Sequence, residues 1–290
     1  MSEPGRLDLP ERPVGRLAPA PVRAKPFSWE RALLGWHSLV VYLFLYVPIL
    51  ILILYSFNRS KQTAAWEGFT LEWYSRLLHN ELILRAVKNS LVVALTTTAV
   101  TTIVGTLVAL ALARRNFGGK AATQAALYLP VIIPEIVVGA ALVTFFGAVQ
   151  MRLSLVTVIV AHVVFCVSYV AIVVRARLAG FDRSLEEAAA DLGAGPWDTF
   201  RRVTLPIILP GILAGALLAF TLSIDDYVIT SFVAGVGATT LPIQIYSMLK
   251  VGVTPEVNAV STLLLLVTVA LIALAQRMQQ EPSAKGGKKK

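Results

Sequence analysis

Three carboxylates interrupt stretches of sequence that are otherwise suited to lipid. Glu135 lies inside LPVIIPEIVVGAAL, residues 129–142, and Asp225 and Asp226 lie in the apolar stretch 206–229. An ionised carboxylate in an apolar medium costs several kcal/mol unless it is paired, hydrated or protonated, so such groups usually face a cavity or a partner. Their available chemistry is attraction of a cation along a membrane path. The alternatives are a structural hydrogen bond between helices for Glu135 and a solvated helix end for the aspartates.

The segment around Glu135 has a second copy further along the chain. LPIILPGILAGALL, residues 205–218, is identical to residues 129–142 at eight of fourteen positions, including both prolines, and has Gly211 in place of Glu135. Duplicated segments are common in transporters, where related positions can face one pathway. We therefore expect both copies to be proline-bent helices beside the same path, with the acidic function carried by the first copy.

The composition is that of an integral membrane protein. The 290 residues are 56% hydrophobic and only 15% charged, with a mean hydropathy of +0.71, whereas a soluble domain carries about 25% charged residues. The net charge of +9 does not indicate nucleic acid binding, because the basic residues lie in the tails and in short segments between apolar runs. The single cysteine, Cys166, lies in an apolar run and is interpreted as a packing residue.

Six stretches are long enough to cross a bilayer, which takes about 20 apolar residues. The class is therefore all-α with six transmembrane helices, because backbone polar groups must be paired internally in lipid. The predicted organisation is an N-terminal tail (1–36), a membrane domain (37–276) and a basic C-terminal tail (277–290). The spans are predicted at roughly 38–57, 91–113, 125–149, 154–174, 206–229 and 257–276, with prolines that bend or end helices at Pro48, Pro130, Pro134, Pro206 and Pro210.

The distribution of basic residues predicts the orientation. With the N-terminus inside the cell, 19 of the 26 Lys and Arg residues fall in the inner segments, which favours cytoplasmic N- and C-termini. The first outer segment contains FTLEWYSRLL, residues 69–78, whose aromatic residues suit a short helix at the membrane interface.

The inner segment between the fourth and fifth spans has a folded pattern of its own. Ser184 followed by Glu187 has the spacing of a capping box, and Gly193 suits the left-handed position that ends a helix. Pro196 fits the first turn of a second helix, and Asp198 is favourable near its positive end. The segment therefore predicts a helix, a glycine turn and a second helix, although Glu187 could serve only as a cap.

No enzymatic constellation is evident. The sequence has no GxxxxGK[ST] phosphate loop, so we expect no ATP hydrolysis by this chain. The three histidines are scattered and form neither HExxH nor a partner to GxSxG. His162 is interpreted as a packed, hydrogen-bonded histidine. We predict no catalytic residue, no metal site and no bound cofactor, and a membrane enzyme is the least supported class.

The inner segment resembles the EAA loop of ABC-importer permeases, with Val203 where that family usually has Ile. The resemblance implies a type I ABC importer permease fold and a loop, at about residues 184–206, that docks on a cytoplasmic ATPase, present in two copies, which uses the ATP. A stand-alone secondary carrier or channel remains the alternative class, but it has no use for such a loop. The residues that carry the resemblance are Glu187, Ala188, Ala189, Gly193, Leu205 and Pro206.

Other motifs resemble the spermidine/putrescine importer permease subfamily, particularly the second permease of its pair. They are YSFNRSK, WEGFTLEWYS, SIDDYVITSFVAG and LPIQIYSMLKVGVTPEVNA. The resemblance implies a location in the bacterial inner membrane, a homologous partner permease, an extracytoplasmic binding protein and a polyamine substrate. Another small solute remains open, because related permeases share parts of these motifs.

A polyamine needs spaced anions for its ammonium groups and aromatic faces for its stem. Glu135, Asp225 and Asp226 could supply the anions, and Trp66 and Trp73 in the first outer segment could supply the aromatic faces. The predicted substrate path consists of the three acids and Trp66.

Overall fold

The computed structural model describes residues 29–61 and 65–279. Residues 1–28 and 280–290, which hold most of both predicted tails, lie outside the described residues. The chain divides into two compact units, one up to Ile49 and one from Leu50 onward. Apart from an isolated bridge between Asn58 and Phe69, the regular structure of the described residues is helical.

The described residues form twelve α-helices and one π-helical turn. Helix α1 begins at Trp29, so the last residues of the predicted N-terminal tail are helical. The bounds are α1 Trp29–Tyr55, α2 Glu72–Leu77, α3 Glu81–Arg114, α4 Lys120–Ile132, α5 Glu135–Ala148, α6 Leu155–Ala179, α7 Ser184–Asp191, α8 Pro196–Thr199, the π-turn Phe200–Thr204, α9 Leu205–Asp225, α10 Val228–Val233, α11 Leu241–Val251 and α12 Pro255–Gln279.

Five helical stretches among the described residues are long and apolar enough to cross a membrane, and there are six when a bent helix pair is counted as one span. The bent pair is α4 and α5, which meet at an angle of 112°. Ile133 between them is extended, with φ −76° and ψ 133°, because the residue before a proline is disfavoured in the helical region. The predicted bend at Pro134 is confirmed, and the third span is two short helices instead of one long one.

The core of the second unit lies between α3, α6 and α9. Small residues allow these helices to approach closely, as is typical of membrane helix packing. A Cβ atom on Gly105 of α3 would lie 2.8 Å from the Val170 side chain of α6, and one on Gly215 of α9 would lie 3.2 Å from the same side chain. Val170 is fully buried at the centre of this packing.

The segment between α9 and α12 returns to the three core helices. The fifth span was predicted to reach residue 229, but α9 ends at Asp225, and two further helices, α10 and α11, follow. Thr157 of α6 donates a hydrogen bond to the carbonyl of Val233 (2.8 Å), and the amide of Asn89 in α3 donates to the carbonyls of Gly237 and Thr239 (both 2.9 Å). These bonds hold the segment in one arrangement over the ends of α3 and α6.

Candidate functional site

The carboxylate of Asp226 is buried and densely hydrogen-bonded. Its side chain is 7% exposed, and its Oδ2 accepts from the Thr230 hydroxyl (2.6 Å), the Thr230 backbone N–H (2.8 Å) and His162 Nε2 (3.2 Å). Its Oδ1 accepts from the backbone N–H of Ile229 (3.3 Å). Asp226 therefore stabilises the first turn of α10, where free backbone N–H groups attract negative charge.

His162 connects three helices through this carboxylate. The imidazole is 2% exposed, and its Nδ1 lies 2.8 Å from the Ser223 hydroxyl while its Nε2 lies 2.9 Å from the Thr230 hydroxyl. A carboxylate can only accept, so Nε2 must carry the proton that faces Asp226. The prediction of a packed, hydrogen-bonded histidine is confirmed, and its partners bring α6, α9 and α10 together.

Asp225 has a different environment from its neighbour. It is exposed at the end of α9 and lines a cavity of about 380 Å³ between α9, α11 and α12, which we call the Asp225 cavity. The rings of Tyr227 and Tyr246 in its wall are 4.5 Å apart between centroids. The remaining wall is formed by Pro242, Ile245, Leu249, Ser261, Leu264, Leu265 and Thr268. The cavity thus combines one acid, a pair of aromatic rings and an apolar wall.

Glu135 lies at the break of the third span. It is exposed in the first turn of α5, where the positive end of the helix dipole stabilises its carboxylate. Helix α5 packs against α10, whose first turn is bonded by the Asp226 carboxylate. Gly139 sets the position of α5, because a Cβ atom there would lie 2.7 Å from the ring of Phe232 in α10. The structure therefore places Glu135 at the start of a helix that packs against α10, while Asp225 and Asp226 lie where α9 ends and α10 begins.

The two copies of the repeated segment do not occupy equivalent positions. The first copy is broken at Pro134, whereas the second continues through Pro210 as the single helix α9. Gly211, the counterpart of Glu135, is buried, and a Cβ atom on it would lie 2.8 Å from Arg177. Arg177 lies across α9 and donates to the carbonyl of Ile207 (3.1 Å). A larger residue at position 211 would collide with α6, so positions 135 and 211 have different surroundings. That both copies lie beside one pathway stays a prediction.

The two tryptophans of the first outer segment differ in exposure. Trp66 is 50% exposed and meets Tyr55 edge to face, with ring centroids 6.3 Å apart. Trp73 is 5% exposed, and its indole N–H donates to the carbonyl of Asn58 (2.7 Å). Trp73 is part of the packing of α2 and offers little surface to a solute, so only Trp66 is accessible.

The segment of residues 184–204, which we call the knob, has the predicted helix–turn–helix form. Gly193 has φ +84°, and the N–H groups of Gly193 and Ala194 donate to the carbonyls of Ala190 (2.9 Å) and Ala189 (3.0 Å). These two hydrogen bonds end α7, and they require at position 193 a residue that tolerates the left-handed region. The role predicted for Gly193 as the residue that ends the helix is confirmed.

The predicted capping box of the knob is wrong. Ser184 is the first residue of α7, and its N–H donates to Oδ1 of Asp182 (3.0 Å). Hydrogen bonds from the backbone and side chain of Ser184 lower the pKa of Asp182 below its usual value. Asp182 therefore takes the capping role, and Glu187 is left exposed. Ala188 beside it is also exposed.

Glu186 attaches the knob to the membrane helices, a role that no sequence motif indicates. Its carboxylate pairs with Arg114 at the end of α3 and accepts a hydrogen bond from the Thr204 hydroxyl. Arg114 also donates to Thr204 (3.1 Å), which is fully buried. Arg183 adds a bond to the carbonyl of Ala113 (3.1 Å). Glu186 and Glu187 are adjacent in sequence, and only the helical phase of α7 decides which one faces the membrane domain.

The second knob helix is continuous with the fifth span. Pro196 is the first residue of α8, as predicted, and helical structure runs without a break from Pro196 to Asp225. The π-turn lies just before Leu205 and Pro206, where the N–H of Leu205 donates to the carbonyl of Phe200. Pro206 has no N–H for the carbonyl of Arg202, which explains the irregular hydrogen bonding at this point.

The outer surface of the knob carries large apolar side chains. Leu192 is 89% exposed and Trp197 is 69% exposed. Between the two knob helices lies a concavity of about 420 Å³, lined by Ala189, Leu192, Gly193, Ala194, Asp198, Thr199, Arg202 and Val203. Exposed apolar patches of this kind are typical of protein contact sites. Among the described residues there is no group of three or more His, Cys, Asp or Glu side chains able to hold a metal ion.

The fold matches chains of two solved ABC transporters. The solved structure of a bacterial ABC transporter involved in the import of the acidic polysaccharide alginate matches 88% of this chain and 96% of its own, with a TM-score of 0.71 at 19% identity. An amino acid ABC transporter solved with histidines matches with a TM-score of 0.57 at 17% identity. The predicted type I ABC importer permease fold is confirmed.

The chain belongs to the family of binding-protein-dependent transport system inner membrane components, whose sequence profile matches residues 101–280. It is 42% identical to the spermidine/putrescine transport system permease protein PotC of Haemophilus influenzae, over 82% of this chain and 92% of that one. It is 40% identical to PotC of Escherichia coli, over 87% and 95%, and 42% identical to the putrescine transport system permease protein PotI of the same species, over 84% and 88%. The protein is therefore a multi-pass inner-membrane permease and not an enzyme.

Proposed function

We propose that this permease imports a polyamine, and that the acids at the junction of α5, α9 and α10 attract its ammonium groups. The observation that carries the proposal is the meeting of an exposed acid and a tyrosine pair in the Asp225 cavity, with Glu135 exposed nearby. The similarity to PotC and PotI supports the same substrate class.

The chemistry of the Asp225 cavity suits an alkyl chain with terminal charges. A carboxylate pairs with one ammonium, and an aromatic face attracts a cation through its π-electrons. The cavity wall of leucine, isoleucine and proline suits the methylene stem. Lys250, whose ammonium lies 4.9 Å from the Tyr246 ring centroid, occupies such a cation site on one tyrosine. A substrate ammonium would form the same kind of contact.

The proposed transporter needs three further components. A cytoplasmic ATPase, present in two copies, docks on the exposed Leu192 and Trp197 surface of the knob. A homologous partner permease completes the translocation path, and an extracytoplasmic binding protein delivers the polyamine. In this arrangement the knob and both chain termini are cytoplasmic, in agreement with the distribution of Lys and Arg.

Uptake by the assembled transporter tests the substrate. Radiolabelled putrescine and spermidine are measured in a strain that lacks its own polyamine importers, with Glu135→Gln and Asp225→Asn variants. Each lost ammonium contact is expected to weaken uptake affinity about tenfold or more, since a hydrogen bond to a charged group contributes about 1.5–3 kcal/mol. Spermidine, with its additional ammonium group, should lose more than putrescine.

Glu67→Gln provides the matched control, because it neutralises an exposed acid that lines no part of the Asp225 cavity. The ATPase should co-purify with every variant. Normal polyamine uptake by both amide variants would remove these acids from the substrate path. Uptake of neither polyamine by the unaltered transporter would refute the substrate class.

Thiol labelling tests the orientation. Cys166 is fully buried and is the single cysteine, so a cysteine introduced at Leu192 is the readily accessible thiol. An impermeant maleimide should label Leu192→Cys only after the membrane is opened. Labelling in intact cells would contradict a cytoplasmic knob.

A further inference from the structure

A second cavity lies where α3 and α6 end beside the knob. Its volume is about 330 Å³, within the range of about 300–1,000 Å³ that is common for ligand sites. We call it the arginine cavity, because three of its wall residues are arginines. It is lined by Leu112, Ala113, Arg114, Arg175, Leu178, Ala179, Phe181, Arg183 and Glu186.

The arginine cavity has an excess of positive charge. Three arginines and one acid, Glu186, line it, and Glu186 pairs with Arg114. Arg183 uses one N–H to bind the carbonyl of Ala113. Arg175 differs from both, because its Nη1 is buried without a hydrogen-bond partner. A buried donor left unpaired is costly, and a charged one favours an anionic acceptor within reach.

The position of the arginine cavity indicates where such an acceptor comes from. Arg114 is the last residue of the second membrane span, and Ala179 is the last residue of the fourth. Lipid phosphates lie at the depth where spans end, and basic pockets between membrane helices bind anionic headgroups. Leu112, Leu178 and Phe181 add apolar wall for the glycerol and the start of the acyl chains.

We propose that the arginine cavity binds the phosphate headgroup of an anionic phospholipid, with Arg175 as the principal donor. The bound lipid also contacts Arg114, the arginine that pairs with Glu186 of the knob. Lipid occupancy is thereby coupled to the attachment of the knob to α3. This assignment does not depend on which solute the permease carries.

The test uses the purified full-length chain and native mass spectrometry of retained lipid. The protein is exchanged into detergent that contains either phosphatidylglycerol or phosphatidylcholine, and the bound fraction is measured against lipid concentration. Arg175→Gln removes the charge while keeping a polar side chain. Arg115→Gln is the matched control, since Arg115 is exposed at the same helix end and does not line the cavity. Both variants must elute as the unaltered protein does in size-exclusion chromatography.

We expect one phosphatidylglycerol to be retained in preference to phosphatidylcholine, and Arg175→Gln to weaken that binding about tenfold while Arg115→Gln leaves it within about twofold. Arg183→Gln replaces the first variant if that variant does not fold. Equal losses in both variants would indicate general surface attraction and overturn the proposal. Full displacement of the lipid by millimolar inorganic phosphate would also overturn the proposal, because it would identify a site for a free anion.

A protein acceptor is the remaining outcome. The same lipid measurement on the permease bound to its ATPase should give the same retention. Loss of the lipid when the ATPase binds, together with loss of ATPase association in Arg175→Gln, would mean that an acidic side chain of the ATPase fills the cavity, and the lipid proposal would be wrong.

Discussion

Replacement of Asp226 by asparagine is expected to lower the thermal stability of the protein, whereas the same replacement of Asp225 is expected to leave it nearly unchanged. The two residues are adjacent in sequence, but only Asp226 is enclosed by donors. Its Oδ2 accepts two short bonds, at 2.6 and 2.8 Å, from Thr230, and a longer one from His162. Asp225 is exposed to the cavity.

The size of the effect follows from the two short bonds. A hydrogen bond to a charged acceptor contributes about 1.5–3 kcal/mol, and one to a neutral acceptor about 0.5–1.5 kcal/mol, so the amide loses about 2–3 kcal/mol in total. For a protein of this size about 1 kcal/mol corresponds to about 2–4 °C, which predicts a fall of about 4–12 °C for Asp226→Asn. The assay is the midpoint of heat-induced loss of the monodisperse size-exclusion peak in detergent.

A double-mutant cycle with His162→Phe identifies the cause. Because His162 and Asp226 share one network, the losses in the double variant should fall short of the sum by about 0.5–3 kcal/mol. Additive losses would show that the two side chains act separately. A midpoint for Asp226→Asn equal to that of Asp225→Asn would refute the structural role assigned to Asp226.

The knob gives three further predictions. Glu187→Arg is expected to abolish transport and ATPase co-purification while the permease stays in the membrane, because this exposed acid faces away from the membrane helices; normal uptake would exclude a docking role. Glu186→Gln should preserve ATPase binding and reduce uptake, because it weakens the ion pair with Arg114 without altering the exposed surface of the knob. Unchanged uptake would contradict a role for that ion pair in transport. Gly193→Ala should lower the heat-denaturation midpoint, because its φ of +84° costs an L-residue about 1–2 kcal/mol; an unchanged midpoint would show that the turn relaxes.

Local signals in the sequence were sufficient for much of the fold. Apolar length predicted the spans, Pro134 predicted the bend, and Gly193 predicted the turn of the knob, because each depends on neighbours along the chain. The predicted cap of α7 was wrong, and the reason is also local. Asp182 and Ser184 both suit an N-terminal turn, and only the backbone geometry shows which of the two caps the helix.

The missed features depend on contacts between distant segments. His162 and Asp226 are 64 residues apart, and Glu186 and Arg114 are 72 apart. Neither pairing can be predicted from a single sequence. The buried Asp226 could therefore not be distinguished from the exposed Asp225. The short helices α10 and α11 were missed for the same reason, because their positions are fixed by side chains of α3 and α6.

The unbroken helix from Pro196 to Asp225 connects the knob directly to the Asp225 cavity. Its 30 residues give a shaft about 45 Å long at 1.5 Å per residue. One end carries Trp197 on the knob, and the other end carries Asp225 beside the cavity. Rotation of such a shaft by about 5° about one end displaces the other by about 4 Å, which is comparable with the length of an ion-pair contact. On the proposed substrate path, a small displacement of the knob would therefore be enough to separate Asp225 from a bound ammonium.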